Sequence, residues 1–581
     1  MALASSIWTE KWQRSVNLLQ VWRAALRWHV PAVGNLPGPR SIGSEAIGQN
    51  LLNGDLRFGG RLIIAPETSI WSIVAPDDAF RVDRHGFLWL DHLAAIAGEK
   101  GSEAARLWTR QWMERHGRGT ALGWMPQITA RRLTRQLHHY GLLTHEWDDK
   151  ERRAFDRSLW RQAHALRATV HRLPKGLPTL EGLAALALCS RCLEDFTVPP
   201  EVYVVGLSLV IPDIGEEGDI PSRSPESLMR WLTCLVWIRE DFEAVGQTVP
   251  EALTEAISAI TPLLRSLRHS DGTLARFHGG GSGVDAQLDK ALSSARVRGL
   301  SSDGGMGFMR ISSGRSSLIA DVASPPYGAE AYNGHASTLA FELTSGRRPL
   351  IVNCGSGEPF GPDWHQAGRA TPSHSVLGLE GASSSRLGSS KRVLGQARQL
   401  METHPQHVTA HLERHLDYLR LEASHDGYLP SHGLLQGRAL EMTVDGSAVA
   451  GEEVLLSDGP EAREVFDRAL GRQSKKGLAY QLRFHLHPDV EPELDLAQAA
   501  VNLRLKSGEV WTFRHDGNTT MTLEPSVYLD VEAPRPTATK QIVLTGHAMS
   551  YTTRIRWSLA KTPESLKGIR DLAELEADLK I

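Results

Sequence analysis

Only four cysteines, Cys189, Cys192, Cys234 and Cys354, occur in the 581 residues, too few to scaffold a chain of this size with disulfides. Nowhere does the sequence approach the roughly 18 consecutive apolar residues that a membrane helix needs, so no integral membrane segment is expected. Charge of one sign is also missing, since 64 basic residues face 67 acidic ones for a net −3. That balance gives no general footing for nucleic acid, and an anionic ligand would have to be met by a local basic site. The first residues, Met1 to Trp12, lack a basic start followed by an apolar core and a cleavage site, which predicts a cytoplasmic location. Cys189-x-x-Cys192 has redox-like spacing but no second pair and no strand before it, which reads as ordinary buried thiols.

Two patterns divide the chain, and its length suits two or three domains. Up to about Gly280 the period is helical. Leu18, Trp22 and Leu26 share a face, as do Leu253, Ile257, Ile260 and Leu264. Ser224-Pro225-Glu226 reads as an N-cap with a favourable first turn, and Gly246 as the stop. Thirteen of the 16 tryptophans fall before residue 240, either as wedges between helices or as platforms for sugar rings. Past Gly305 the period becomes two. Met306, Phe308 and Ile311 precede a turn at Ser312-Ser313-Gly314, and Leu478 to Leu486 alternates. Leu503 and Leu505 turn through Lys506-Ser507-Gly508 to Val510, and Ile555, Trp557 and Leu559 close the series. Many strands joined by short turns predict packed antiparallel sheets. The expected fold is α+β and multidomain: helices over 1–290, a β-sandwich over 305–565 and a tail helix over 566–581, with the boundary near residues 280 to 304.

One stretch concentrates polar residues at strand ends. Leu339, Phe341 and Leu343 alternate with Ala340, Glu342 and Thr344, and Leu350 to Val352 stops at Asn353-Cys354-Gly355. His335 precedes the first strand, Asn353 closes the second and His374 leads into a third. Two imidazoles and an oxygen donor make a zinc-type set.

His335-Ala336-Ser337, Phe341-Glu342-Leu343, Val352-Asn353-Cys354-Gly355 and Arg369-Ala370-Thr371-Pro372-Ser373-His374-Ser375 resemble, in order and spacing, motifs of the heparinase II/III family of polysaccharide lyases. Gly86 to Leu90 and Ser270 to Gly281 resemble bacterial members whose N-terminal half is an incomplete (α/α) toroid. The resemblance implies that toroid followed by an antiparallel sandwich, an acidic polysaccharide as substrate and β-elimination as the reaction, often in the periplasm. It places His335, Asn353 and His374 on the divalent-metal positions, zinc first among the candidates, and Asn333 where several members have a catalytic His. Asn353 stands where Asp is usual. Ile211 to Pro225 corresponds to a toroid segment but contains neither Tyr nor His, and only Arg223 keeps its place.

Elimination needs a neutralised uronate, a base for the proton beside its carboxylate and an acid for the leaving oxygen. Arg369 and Arg223 are candidate carboxylate binders. His425 and Tyr428, in Ser424-His425-Asp426-Gly427-Tyr428, are a candidate base and acid flanking an expected Asp-Gly turn. His485-x-His487 offers two imidazoles on one strand face, for metal or for hydrogen bonding inside the sandwich; His138 and His139 read as a solvated or inter-helix face. Cys354 is a candidate thiolate in place of the missing Asp. Two functions follow: a lyase cleaving an acidic glycan, or a non-catalytic glycan-binding or envelope-assembly protein that keeps the fold.

Overall fold

The computed structural model describes residues 32–119, 122–284, 286–299, 303–393, 396–472 and 477–562. The expected helical face at Leu18, Trp22 and Leu26 and the tail helix lie outside them. Helices run from Glu45–Leu52 to Gln287–Ala295, and strands from Gly304–Gly305 to Thr552–Lys561. A hairpin unforeseen from the sequence, Asp55–Phe58 with Arg61–Ile64, sits among the first helices.

Leu177–Cys192 forms the middle of the helical half. Apart from Glu181 and Arg191 it is apolar on most of its circumference and buried along most of its length, as expected of a helix covered on nearly all sides. The helix Pro225–Ala244 packs against it, starting at Ser224, whose hydroxyl accepts the Ser227 amide; Asp148 and Glu151 close a capping box on Asp149–Thr169. Several of the described tryptophans wedge between helices. Trp89, Trp112 and Trp124 are fully buried, and the Arg132 guanidinium lies 4.1 Å over the Trp112 ring. Cys189 and Cys192 are buried thiols.

The second half is two antiparallel sheets face to face. One runs in the order Val408–Arg414, Tyr418–Tyr428, Leu434–Thr443, Ala448–Leu456, Thr552–Lys561, Val510–His515, Ala500–Arg504 and Glu491–Leu494. The other centres on Leu478–Leu486, Arg348–Val352, Phe341–Ser345 and Ser316–Asp321. Aromatic rings join them: Phe341 stacks on Trp557 at 5.8 Å, and Phe484 meets Phe513 edge-on at 4.9 Å. Trp557 lies across Gly451 on the neighbouring strand, where a Cβ would fall 2.2 Å from the indole. Only glycine fits there.

Two local expectations fail. Phe341–Ser345 is buried on both faces, because a strap from Leu267 to Gly280 covers the side that alternation would leave to solvent. Asp426-Gly427 is not a hairpin turn. It forms a bulge inside Tyr418–Tyr428, where His425 pairs Gln436 and Tyr428 pairs Leu434.

A buried ion pair ties the sheets. Arg438 Nε donates to Glu453 Oε1 at 2.7 Å, while Nη1 donates to the Ser375 and Leu339 carbonyls of the opposite layer. Arg438→Ala leaves an uncompensated carboxylate and should lower unfolding free energy by about 3–5 kcal/mol. Arg438→Met with Glu453→Leu should recover most of it, as read by urea unfolding.

Candidate functional site

The stretch singled out in the sequence lies at the seam between the helical half and the sandwich. Ser316–Asp321 ends there, and the buried Asp321 carboxylate collects Ser337 Oγ at 2.6 Å, His278 Nε2 at 3.3 Å and Arg223 Nη2 at 2.5 Å. Burial alone would raise its pKa, but Arg223, His278 and Ser337 together hold it well below the carboxylate range.

His335 and His374 are brought together, with Nδ1 of the first 3.0 Å from Nε2 of the second. Their tautomers follow from the neighbours. His374 Nδ1 faces the Ala370 carbonyl at 2.9 Å and must carry a proton, which leaves Nε2 as acceptor. The Gly279 amide donates to His335 Nε2 at 3.2 Å, so the His335 proton sits on Nδ1 and points at His374. Every ring nitrogen is engaged. Burial pushes His374 down to about 4 and His335 well below the ordinary imidazole value, so both rings are neutral.

Asn353 turns away from this pair. Its Oδ1 accepts from the Ser375 amide at 2.9 Å and its Nδ2 lies 3.3 Å from Glu342 Oε1. A metal between the rings would need the lone pair of His335 Nδ1, and hence a proton on Nε2 facing the Gly279 N–H, donor against donor. The expected set of His335, Asn353 and His374 therefore does not fit a divalent metal as arranged, and among the described residues no three His, Cys, Asp or Glu side chains converge to hold one. Cys354 points elsewhere, its Sγ 3.6 Å from His485 Nδ1.

The two expected carboxylate binders are also occupied. Arg223 donates through Nε to Met306 O, through Nη1 to Ser324 O and Ala323 O, and through Nη2 to Gly307 O and Asp321. That uses all five donors. Arg223 is a clamp between halves, held in the left-handed region at φ 50°. Arg369, buried, spends Nε, Nη1 and Nη2 on the carbonyls of Gly334, Gln399 and Ala331, and so fixes the loop that carries Asn333 and His335. His425 and Tyr428 are adjacent, ring centres 5.7 Å apart, but both are buried. His425 Nε2 faces Gln436 Oε1 at 3.1 Å and Nδ1 accepts the Gly427 amide. Both ring nitrogens of His425 are thus engaged within the protein, and the Tyr428 pKa is raised by burial.

Asn333 is different. It is half-buried with an unpaired Oδ1, packed on Gly279, where a Cβ would fall 2.9 Å from its own. Around it the sequence reading missed three groups: Tyr332, whose ring lies 3.7 Å under the Arg398 guanidinium, and His365, half-buried with Nε2 unpaired. Burial, with Arg369 and Arg398 behind it, pushes His365 down to about 4. The helical half faces this rim with Asp213, paired to Lys175 at 2.8 Å and close enough to raise Glu330 further after burial. Tyr332 adjoins Asn333 and His365 lies four residues before Arg369, the one sequence signal available. His485 bonds Ser526 Oγ and Pro372 O, and His139 bonds Asp91 between helices.

Two outcomes check these assignments. Dialysis against a chelator should leave Tm unchanged; a fall of several degrees would place a metal between His335 and His374. Burial holds His425 near 4 when folded, below its unfolded value of about 6.5. The unfolded chain therefore binds the proton first, and stability present above pH 6.5 declines as pH falls towards 4, by about 3 kcal/mol. His425→Gln should flatten that decline in urea titrations between pH 7 and 4.5.

Comparison with known proteins agrees with this architecture. FtsZ-localized protein C of Caulobacter vibrioides is 29% identical over 541 residues, covering 90% of this chain and 89% of that protein. Heparinase III superposes with a TM-score of 0.62 at 12% identity, over 93% of this chain and 88% of that one. Heparan sulfate lyase HepC from Pedobacter heparinus, as a mutant, gives 0.54 at 12% identity over 94% and 88%. At such identities these two speak for the fold, a helical toroid followed by a β-sandwich. Residues 296–558, which span the sandwich, match the Heparinase II/III-like, C-terminal family.

Proposed function

We propose that this protein keeps the lyase fold as a non-catalytic envelope-assembly and glycan-binding scaffold. The observation that carries this reading is that the groups expected to act on a uronate are already bonded within the protein: Arg223 through all five donors, His335 and His374 to each other. A base must reach the proton it removes, and His425 is sealed. The similarity to a protein named for its localisation with FtsZ supports the assembly half of the reading. The rim of Tyr332, Asn333, His365 and Arg398 is the surface left for a glycan, through ring contacts and hydrogen bonds rather than proton transfer.

A second reading is favoured by one observation. Tyr332 and His365 are half-buried beside Asn333, and His365 Nε2, though shielded from solvent, has no partner within the protein, which leaves it free to act as a base once a substrate displaces its cover. It makes this chain a lyase with relocated catalytic groups.

One experiment separates the two. Elimination leaves a conjugated unsaturated sugar, so ultraviolet absorbance is followed with uronate-containing polymers. The scaffold reading expects no rise, binding to at least one polymer, and co-pelleting with FtsZ polymers. A rise that Tyr332→Phe abolishes establishes the lyase.

A further inference from the structure

Far from the seam, the helical half holds a cavity of about 480 Å³ whose wall is basic. It lies between the end of Leu177–Cys192, the last turns of Pro225–Ala244 and the helix Gln287–Ala295, and the loop Pro37–Arg40 closes it. Its volume is within the range of roughly 300–1,000 Å³ of small-molecule sites.

Its wall carries Arg40, Arg191, Lys290 and Arg296 against Glu240 and Glu243. Asp241 beneath them is buried and accepts from Arg40 Nη2 at 2.7 Å and Arg191 Nη1 at 3.1 Å. Arg40 Nε lies 3.3 Å from Glu240, and Arg296 pairs with Glu243 at 3.0 Å. Two donors are left over. The Arg40 side chain is only 7% exposed, yet its Nη1 has no hydrogen-bond partner, and an unmade bond from a buried guanidinium is costly. Lys290 is exposed and has no ion pair among the described residues. Asp241 Oδ2 also has no partner, but with Arg40, Arg191, Lys290 and Arg296 set against Asp241, Glu240 and Glu243, positive charge is in excess where the Arg40 donor lacks an acceptor. Trp237, half-buried and met edge-on by His138 at 4.8 Å, lines the cavity together with Pro37 and Pro39.

We propose that this cavity binds a ring-bearing phosphate monoester, its phosphate between Arg40 and Lys290 and its ring on Trp237. A phosphate monoester carries about −1.5 to −2 charges near neutrality and three acceptor oxygens, which matches a guanidinium and an ammonium. An indole lining a cavity is a platform for a flat base or the apolar face of a sugar. A nucleotide and a sugar phosphate share this chemistry.

Calorimetry on the full chain tests it with adenosine monophosphate, uridine monophosphate, glucose 1-phosphate and inorganic phosphate. At least one ring-bearing compound should bind, about tenfold or more tighter than inorganic phosphate; which one distinguishes nucleotide from sugar. Lys290→Glu, an exposed change that leaves the fold intact by circular dichroism, should weaken it at least about tenfold. Trp237→Leu should remove the advantage over inorganic phosphate. No heat with any probe at millimolar concentration, inorganic phosphate binding as tightly as the ring compounds, or affinity unchanged in Lys290→Glu overturns the proposal.

Discussion

A buried carboxylate at the end of a strand sets the terms for the whole seam. Asp321 has left water entirely, and an isolated charge in that position is untenable. The fold answers with an arginine from the helical half, an imidazole from the strap and a hydroxyl from the loop after the strand. Each answer constrains something else. Arg223 takes a left-handed backbone to reach across and lies 4.9 Å over Phe308. His278, held against Asp321, accepts the His335 amide at Nδ1. That fixes the loop, and the next residue of the strap, Gly279, donates to the His335 ring and decides its tautomer. Removing Arg223 would leave the carboxylate unpaired, which is the expensive case for a buried ion pair.

The same economy recurs one strand away. Glu342 is buried on the face that the strap covers, where it accepts the Arg276 amide at 2.9 Å and lies 3.5 Å from His269 Nε2. Arg276 carries the link onward to the Cys354 and Leu529 carbonyls. A seam bonded this densely resists displacement, and burial lowers the pKa of His278, His335 and His374 because it opposes the charged form. Proton-transfer chemistry asks for the opposite, a group near its pKa with one face open to substrate. Rigidity at the centre and an open rim are therefore two sides of one arrangement.

The architecture was legible in the sequence because period is a local property. The switch from helical spacing to alternation after Gly305 located the sandwich, and Leu478–Leu486 and Thr552–Lys561 appear where alternation placed them. The site was legible only as a neighbourhood. His335 and His374 do meet, but which nitrogen bears a proton depends on Gly279, 56 residues upstream of His335, in a stretch that composition marks as a flexible linker. Arg223 and Arg369 sit where carboxylate binders were expected, yet apart from Asp321 on Arg223 their partners are backbone carbonyls, which no side-chain pattern advertises. Both faces of Phe341–Ser345 are buried because a distant strap covers one, and a period of two cannot report that.

Why the seam is polar at all is a question of specificity. Apolar residues of similar volume would hold the two halves with comparable free energy, since desolvation offsets much of what a buried ion pair gains. They would not fix orientation, because apolar contact is non-directional. Arg223 can satisfy five donors in one geometry only, and a displacement of an ångström breaks several bonds together. Tyr332 and Asn333 lie in the loop that Arg369 and the strap anchor, His365 in the helix Pro362–Gly368 that ends beside Arg369, and Arg398 on the strand Gln396–Thr403, whose Gln399 carbonyl Arg369 also holds. Their relative placement is thus inherited from the buried network. A surface that recognises an extended ligand or a protein assembly needs that fixed spacing more than it needs a reactive group, which is the physical ground for the proposed scaffold role.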